Sequence, residues 1–200
     1  MSIKISTIYT KSGDSGETAL IGGSRISKAS LAVHSYGLLD EVNAQLGVVR
    51  SWAAYEQSNT PDTLAKETED VFAKIQNVLF DLGAILAAPA NADMSYDDYD
   101  SDNDERVIFL ETKIDEYRAY YEPINSFTVP GGCMLNAYAH VARTVCRHWE
   151  RILVERMNDE NLDPSVLVYA NRLSDFLYAY SRLVTTTLSE KEQLWEPGKY

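Results

Sequence analysis

Residues 127–160 read FTVPGGCMLNAYAHVARTVCRHWERILVERMNDE. Pro130-Gly131-Gly132 is a breaker, and residues 133–160 then repeat as one helix. At 100° per residue, Asn136, His140, Arg143, Arg147, Glu150 and Arg151 fall within an arc of about 100°. Leu135, Tyr138, Ala139, Ala142, Val145, Cys146, Trp149, Ile152 and Leu153 fill most of the opposite side. Half of this helix is patterned for burial, and the other half carries a charged stripe. The simplest reading of such a stripe is a solvated face. Arg143, Arg147 and Glu150 stand at i, i+4 and i+7, however, so their heads can converge on one point. Arginine offers a planar fork of donors suited to phosphate, and Glu150 can orient that fork or help hold a metal. A polyanion site on a helical scaffold is therefore expected.

The rest of the composition fits that scaffold. Two hundred residues suit one domain, and 45% hydrophobic content can fill a core. A net charge of -12 argues against non-specific nucleic-acid binding and against attraction to anionic membranes. A local arginine cluster can still oppose the global sign. Cys133 and Cys146 are about 19 Å apart along one helix axis, too far for a bridge within it. They suggest a reducing compartment. No signal core, transit segment or membrane-length apolar run is present, so a cytoplasmic location is expected.

Residues 1–30 are not helical in pattern. Ile3, Ile5 and Ile8 precede a Gly/Ser/Thr-rich run, TKSGDSGET (10–18), then Gly22-Gly23 and Ser24-Arg25-Ile26-Ser27-Lys28. Such a segment can turn N–H groups and hydroxyls toward an anion, although no Walker A pattern occurs. Residues 31–57 repeat as a helix through Leu38, Val42, Leu46 and Val49, with Asp40 in its first half. A second helix is expected over 62–87, with Leu64, Val71, Ile75, Val78, Leu79, Leu82 and Ile85 inward. Residues 88–102 read as a mobile acidic loop, without the spacing of a calcium loop. A third helix spans 103–121, with Val107, Ile108, Leu110, Ile114 and Tyr117 inward. The last spans 164–190, with Val166, Leu173, Phe176, Leu177, Tyr180 and Val184 inward, and Asn171, Ser174, Asp175, Tyr178 and Arg182 on the other side. Residues 191–200 read as a tail, mobile until something packs on Trp195. The fold class is all-α, a five-helix bundle (31–190) with an irregular N-terminal phosphate-binding segment (1–30), in one domain over 1–200.

Five stretches carry a family resemblance. IYTKSGDSGETALIGGSRISK (8–28) resembles IYTKTGDxGxTxLxGGxRxxK, and YGLLDEVNAQLG (36–47) resembles YGxxDELNxxLG. FTVPGG (127–132) resembles FxxPGG, HVARTVCRHWER (140–151) resembles HxARxxCRRAER, and YANRLSDFLYAYSR (169–182) resembles YLNRLSDxLFxxAR. These are signatures of the PduO-type ATP:cob(I)alamin adenosyltransferases. The resemblance implies a five-helix bundle assembled as a homotrimer with active sites between subunits. It implies transfer of the 5′-deoxyadenosyl group of ATP to the cobalt of cob(I)alamin, with magnesium accompanying ATP. By resemblance, Thr10, Lys11, Ser12 and Gly13 wrap the phosphates with Thr18 and Lys28, and Ala19 offers its N–H. Arg147, Glu150, Arg151 and Asn171 belong to the nucleotide side, with Glu150 on the metal or ribose. Arg143 pairs with Asp40 of an adjacent subunit near the corrin. Phe127 lines the corrin face from which the lower ligand of cob(II)alamin is removed before reduction. A reductase and an adenosylcobalamin-dependent mutase are the implied partners.

The chain departs from the pattern at His148, where the family has a second arginine, at Ala19, where it has glycine, and in the bulky Cys133-Met134-Leu135-Asn136. No role is assigned to His148. A non-enzymatic carrier of ATP or cobalamin is the competing expectation, and the triphosphate-binding residues weigh against it. A ferritin-like metal site would need Glu-x-x-His on two helices, which the sequence lacks.

Overall fold

A computed structural model describes residues 8–55, 60–89 and 99–199. Five helices form: α1 (Leu31–Tyr55), α2 (Asp62–Leu86), α3 (Glu105–Arg118), α4 (Met134–Met157) and α5 (Pro164–Thr187). The fold class is the expected one. Helix starts follow local chemistry. Asp104 and Asp163 cap α3 and α5 by accepting from the N–H two residues on, and Pro164 occupies the first turn of α5. Cys133 lies outside α4 in extended conformation, and its sulfur accepts from Asn136 N. α3 stops three residues before the expected Tyr121, because the N–H groups of Ala119 and Tyr120 bond three residues back and tighten the last turn. Most of the acidic stretch expected to be a mobile loop lies outside the described residues, as do Ile3, Ile5 and the expected end of the first helix.

The N-terminal segment contains a ribbon that the pattern does not announce. β1 (Glu17–Ala19) pairs antiparallel with β2 (Arg25–Ser27), Thr18 facing Ile26. Gly22 and Gly23 turn the chain between them at φ 96° and 92°, where side-chain-bearing residues are strained.

α4 packs between α1 and α5, α1 also packs on α2, and α5 also packs on α3. The apolar stripes meet in one core that includes Val42, Leu46, Leu79, Trp149 and Leu173. Phe72, Phe176, Tyr180 and Tyr117 interlock across α2, α5 and α3, with the Phe72 and Tyr180 rings 4.7 Å apart. The Tyr180 hydroxyl lies 2.7 Å from Thr68 Oγ1, so its polar end is satisfied in the core. Ile85 and Ile108, expected inward, are exposed. They stand roughly 90° and 140° from the centres of their stripes at 100° per residue; Leu86 fills the core position beside Ile85 instead, while Leu110 is buried as expected. No helix among the described residues is long and apolar enough to cross a membrane.

Two polar groups fix the bundle's corners. Asn136, part of the α4 stripe, is buried. Its amide donates to Ser181 O (3.0 Å) and Thr185 Oγ1 (2.8 Å) of α5, and its carbonyl accepts from Gly131 N (3.1 Å). Arg156 is 1% exposed. Its guanidinium donates to Ser35 Oγ of α1, Leu86 O at the end of α2, and Glu160, each at 2.9 Å.

The tail has a partner. Val129 N donates to Gln193 O and Trp195 N to Phe127 O, each at 2.8 Å, and Ser126 Oγ donates to Trp195 O. The Phe127 and Trp195 rings lie 6.2 Å apart. Phe127 is therefore what packs on Trp195, and Glu192 adds an ion pair to Arg182 at 2.8 Å.

Removing the Arg156 guanidinium leaves Leu86 O without this donor and a cavity in the core. Arg156→Ala should lower stability by about 3–5 kcal/mol, moving Tm down by about 10 °C in a domain of this length. Thermal unfolding checks this, and a shift below about 2 °C would show that Arg156 is no keystone.

Candidate active site

The expected nucleotide residues fall in two places. In the loop before and within the ribbon, Thr10 Oγ1 and Ser12 Oγ lie 2.7 Å apart. Lys11 sits at φ 59°, a left-handed conformation uncommon for a residue with a side chain. A left-handed residue at the start of a turn helps point successive N–H groups to one side, the geometry of an anion nest. A Cβ built on Gly13 would stand 3.0 Å from Lys28 Nζ, so glycine lets that ammonium lie against the loop. Lys28 N also donates to Gly16 O. Thr18 is half-buried in β1, with Ala19 exposed beside it.

Arg25, which is not among the expected site residues, holds this loop together. Its Nη2 donates to Ser12 O at 2.7 Å and its Nε to the Glu17 carboxylate at 3.1 Å. Ala19 pairs with Arg25, so Glu17 is its diagonal neighbour, a signal legible only once the ribbon's register is known. Ile21 N donates to Ala87 O at 2.9 Å, tying the loop to the residue after α2.

The second place is the α4–α5 face. Arg147 is exposed, and Arg151 Nη1 donates to its carbonyl at 3.0 Å. Glu150 is half-buried, and its Oε1 accepts from Asn171 Nδ2 at 2.8 Å. Glu150 and Asn171 are thus brought together. Among the described residues no hydrogen bond or ion pair joins residues 10–28 to Arg147, Glu150, Arg151 or Asn171. His148 points elsewhere, its ring edge-on to His34 of α1 at 5.9 Å.

One turn before Arg147, α4 borders an open cavity of ≈ 1230 Å³. Phe127, His140, Arg143, Asp175, Tyr178 and Trp195 lie along its wall. Phe127 is 77% exposed, so it is a wall residue and not a core aromatic. Sequence reasoning left Asp175, Tyr178 and Trp195 without a part in the site, although the first two lie on the polar side of α5. Arg143 Nε donates to His140 Nδ1 at 3.2 Å. Burial first, then the charge of Arg143, pushes the His140 imidazole down to about 4. Burial, then the neighbouring Arg147 charge, lowers Arg143 as well, within a range where arginine stays cationic. Asp40 is exposed on α1 and makes no ion pair to Arg143 within this chain.

The chain is similar to known proteins over most of its length. A family model described as cobalamin adenosyltransferase matches residues 8–184. The chain is 41% identical over 180 residues to a corrinoid adenosyltransferase of Bacillus subtilis, covering 88% of this chain and 86% of that one. It is 39% identical over 175 residues to the corrinoid adenosyltransferase PduO of Salmonella typhimurium, covering 88% of this chain and 48% of that protein, so it spans about half the length of that relative. A solved variant of the PduO-type ATP:corrinoid adenosyltransferase from Lactobacillus reuteri, complexed with cobalamin and ATP, is similar with TM-score 0.83 and 32% identity over 96% of this chain and 98% of that one. A further variant complexed with ATP gives 0.80 and 33%, over 94% and 100%.

The depressed His140 has a consequence for stability. The folded chain resists protonating it between its ordinary value of 6.5 and about 4, so its stabilising contribution is full above pH 6.5 and is lost as pH falls toward 4. Relative to His140→Leu, the parent should lose about 3 kcal/mol across that window. Urea unfolding of both proteins at several pH values checks it, and parallel pH profiles would contradict it.

Proposed function

Because the chain belongs to the cobalamin adenosyltransferase family, we propose that Arg147, Glu150 and the 10–28 loop hold ATP while the neighbouring cavity holds the corrinoid to which it gives its adenosyl group. The chain is an ATP:corrinoid adenosyltransferase. Cobalt(I) attacks the 5′ carbon of ATP, the bond from that carbon to oxygen breaks, and the triphosphate leaves with the electron pair. The observation that supports the residue assignment is the order along α4. Arg143 stands at the cavity wall, and Arg147 and Glu150 follow it by one and two turns. A helix rises 1.5 Å per residue, so cavity and phosphate residues are separated by about 6–10 Å on one rigid rod. Such a rod positions two reactants with little further ordering.

The leaving triphosphate gains negative charge, and Lys11, Lys28, Arg147 and the loop N–H groups are suited to stabilise it. Arg151 braces the Arg147 backbone. Magnesium usually binds through one or two carboxylates and the phosphates themselves, and Glu150, with one oxygen steadied by Asn171, fits that role. The metal would neutralise phosphate charge. Phe127 is assigned to the lower corrin face, since its ring stands at the cavity wall and is backed by Trp195.

We further propose a homotrimer whose active sites lie between subunits, with the loop of one chain completing the α4–α5 face of another and Asp40 reaching Arg143 across the interface. Asp40 and Arg147 are both exposed, and among the described residues no hydrogen bond joins those halves within one chain, which supports this. A cytoplasmic setting, a reductase that supplies cobalt(I), and a mutase that uses the product complete the reading.

An anaerobic absorbance assay with magnesium-ATP and chemically reduced cobalamin tests it. Loss of the cobalt(I) spectrum and growth of a light-sensitive cobalt–carbon product should depend on ATP. Arg147→Ala should slow turnover by about 100–1000-fold. Tight binding by the parent without product would indicate a carrier instead. Phe127→Ala should keep ATP affinity but lose most turnover from cobalt(II) with a weak reductant, and parental turnover in that variant would remove Phe127 from the corrin face.

A further inference from the structure

His140 belongs to the motif that bounds the cavity, yet nothing above gives it a part in the reaction. It is 4% exposed, on the α4 turn between the Pro-Gly-Gly breaker and Arg143. Its ring packs against Tyr178 of α5, centroids 6.3 Å apart at 64°. Its Nδ1 faces Arg143 Nε at 3.2 Å. A guanidinium donates only, so this bond requires an imidazole that is unprotonated at Nδ1. Burial beside a cation keeps it so.

We propose that His140 is the positioning residue that aims Arg143 into the corrinoid cavity: by accepting from Nε it fixes the plane of the guanidinium and leaves both terminal nitrogens on its outer side, toward the cavity and Asp40 of the adjacent subunit. The inference rests on the adenosyltransferase reading and deepens it. An unrestrained arginine samples many rotamers, and each must be frozen when the corrinoid binds. A hydrogen bond made beforehand on the inner side of the fork removes part of that ordering. The Tyr178 ring fixes the imidazole in turn, so the restraint is transmitted from α5 through His140 to Arg143. The alternative acceptor for Nε would be water, which fixes no direction.

Asparagine and glutamine separate this role from simple filling of space. The Asn carbonyl oxygen can stand near the position of Nδ1, whereas Gln places its own nearer Nε2. The experiment measures KM for cob(I)alamin, kcat, and ATP affinity by calorimetry, in the parent, His140→Leu, His140→Asn and His140→Gln. Loss of a hydrogen bond to a charged group predicts a rise of about tenfold or more in the cobalamin KM for His140→Leu, with ATP affinity within about twofold of the parent. His140→Asn should recover most of that loss and His140→Gln little of it. In an Arg143→Ala background, His140→Leu should add less than about twofold, because the histidine acts through the arginine.

Parental cobalamin KM in His140→Leu would overturn the proposal. So would equal behaviour of the Asn and Gln variants, a full additional effect in the Arg143→Ala background, or cobalamin and ATP affinities that fall together. If His140→Leu does not fold, the Asn–Gln comparison decides alone. Failure of the parent to form a cobalt–carbon product would instead count against the adenosyltransferase reading, and ATP calorimetry on the same sample tells that failure from misfolding.

Discussion

The buried guanidinium of Arg156 is the contact on which the site's geometry depends. A cation with 1% exposure persists because Ser35, Leu86 O and Glu160 together replace its water. The Leu86 carbonyl is one of the last in α2, a place where partial negative charge collects and where a cation is favoured. One side chain of α4 thereby fixes α1 and the end of α2. The next carbonyl, Ala87 O, receives Ile21 N from the N-terminal segment. The order of dependence runs from Arg156 to the α2 terminus, then to Ile21, and then to a ribbon whose Arg25 holds the Ser12 carbonyl. A loop poor in apolar contacts thus owes its placement to a charge buried in the bundle.

The five helices were legible because their apolar residues recur at a period near 3.6 over more than three turns each. The same periodicity marked Arg143, Arg147, Glu150 and Asn171 as residues sharing polar faces. It could not give depth. Asn136 and His140 share the stripe's angle with Arg147, yet the first two are buried and the third is exposed. The difference comes from the position of α5, which covers the N-terminal half of that face and which no local pattern encodes. Arg156 was equally illegible, since its three partners include residues 70 and 121 positions away in the chain. The ribbon escaped notice because three-residue strands are too short for alternation to stand out.

The tail illustrates another limit. KEQLWEPGKY is polar and short, and a chain of that composition has little reason to order alone. Order comes from pairing with residues 127–129, which themselves lie between α3 and the Pro-Gly-Gly breaker. Two segments without regular structure of their own satisfy each other's backbone groups, and the Arg182–Glu192 pair holds the junction against α5. The cavity wall is therefore assembled from sequence neighbours of α3, α4 and α5 at once.

That wall gives the protein an optical probe of its own. Of the three tryptophans, Trp149 is 0% exposed in the core, whereas Trp195 is 52% exposed beside Phe127 at the cavity. Indole emission follows the polarity around the ring. Trp149 and the half-buried Trp52, stacked on Tyr138, supply a background fixed by the bundle, and Trp195 supplies a signal that changes when a bound molecule displaces water from the cavity. Filling of this cavity can thus be read in the emission of the unlabelled chain, separately from any event at residues 10–28.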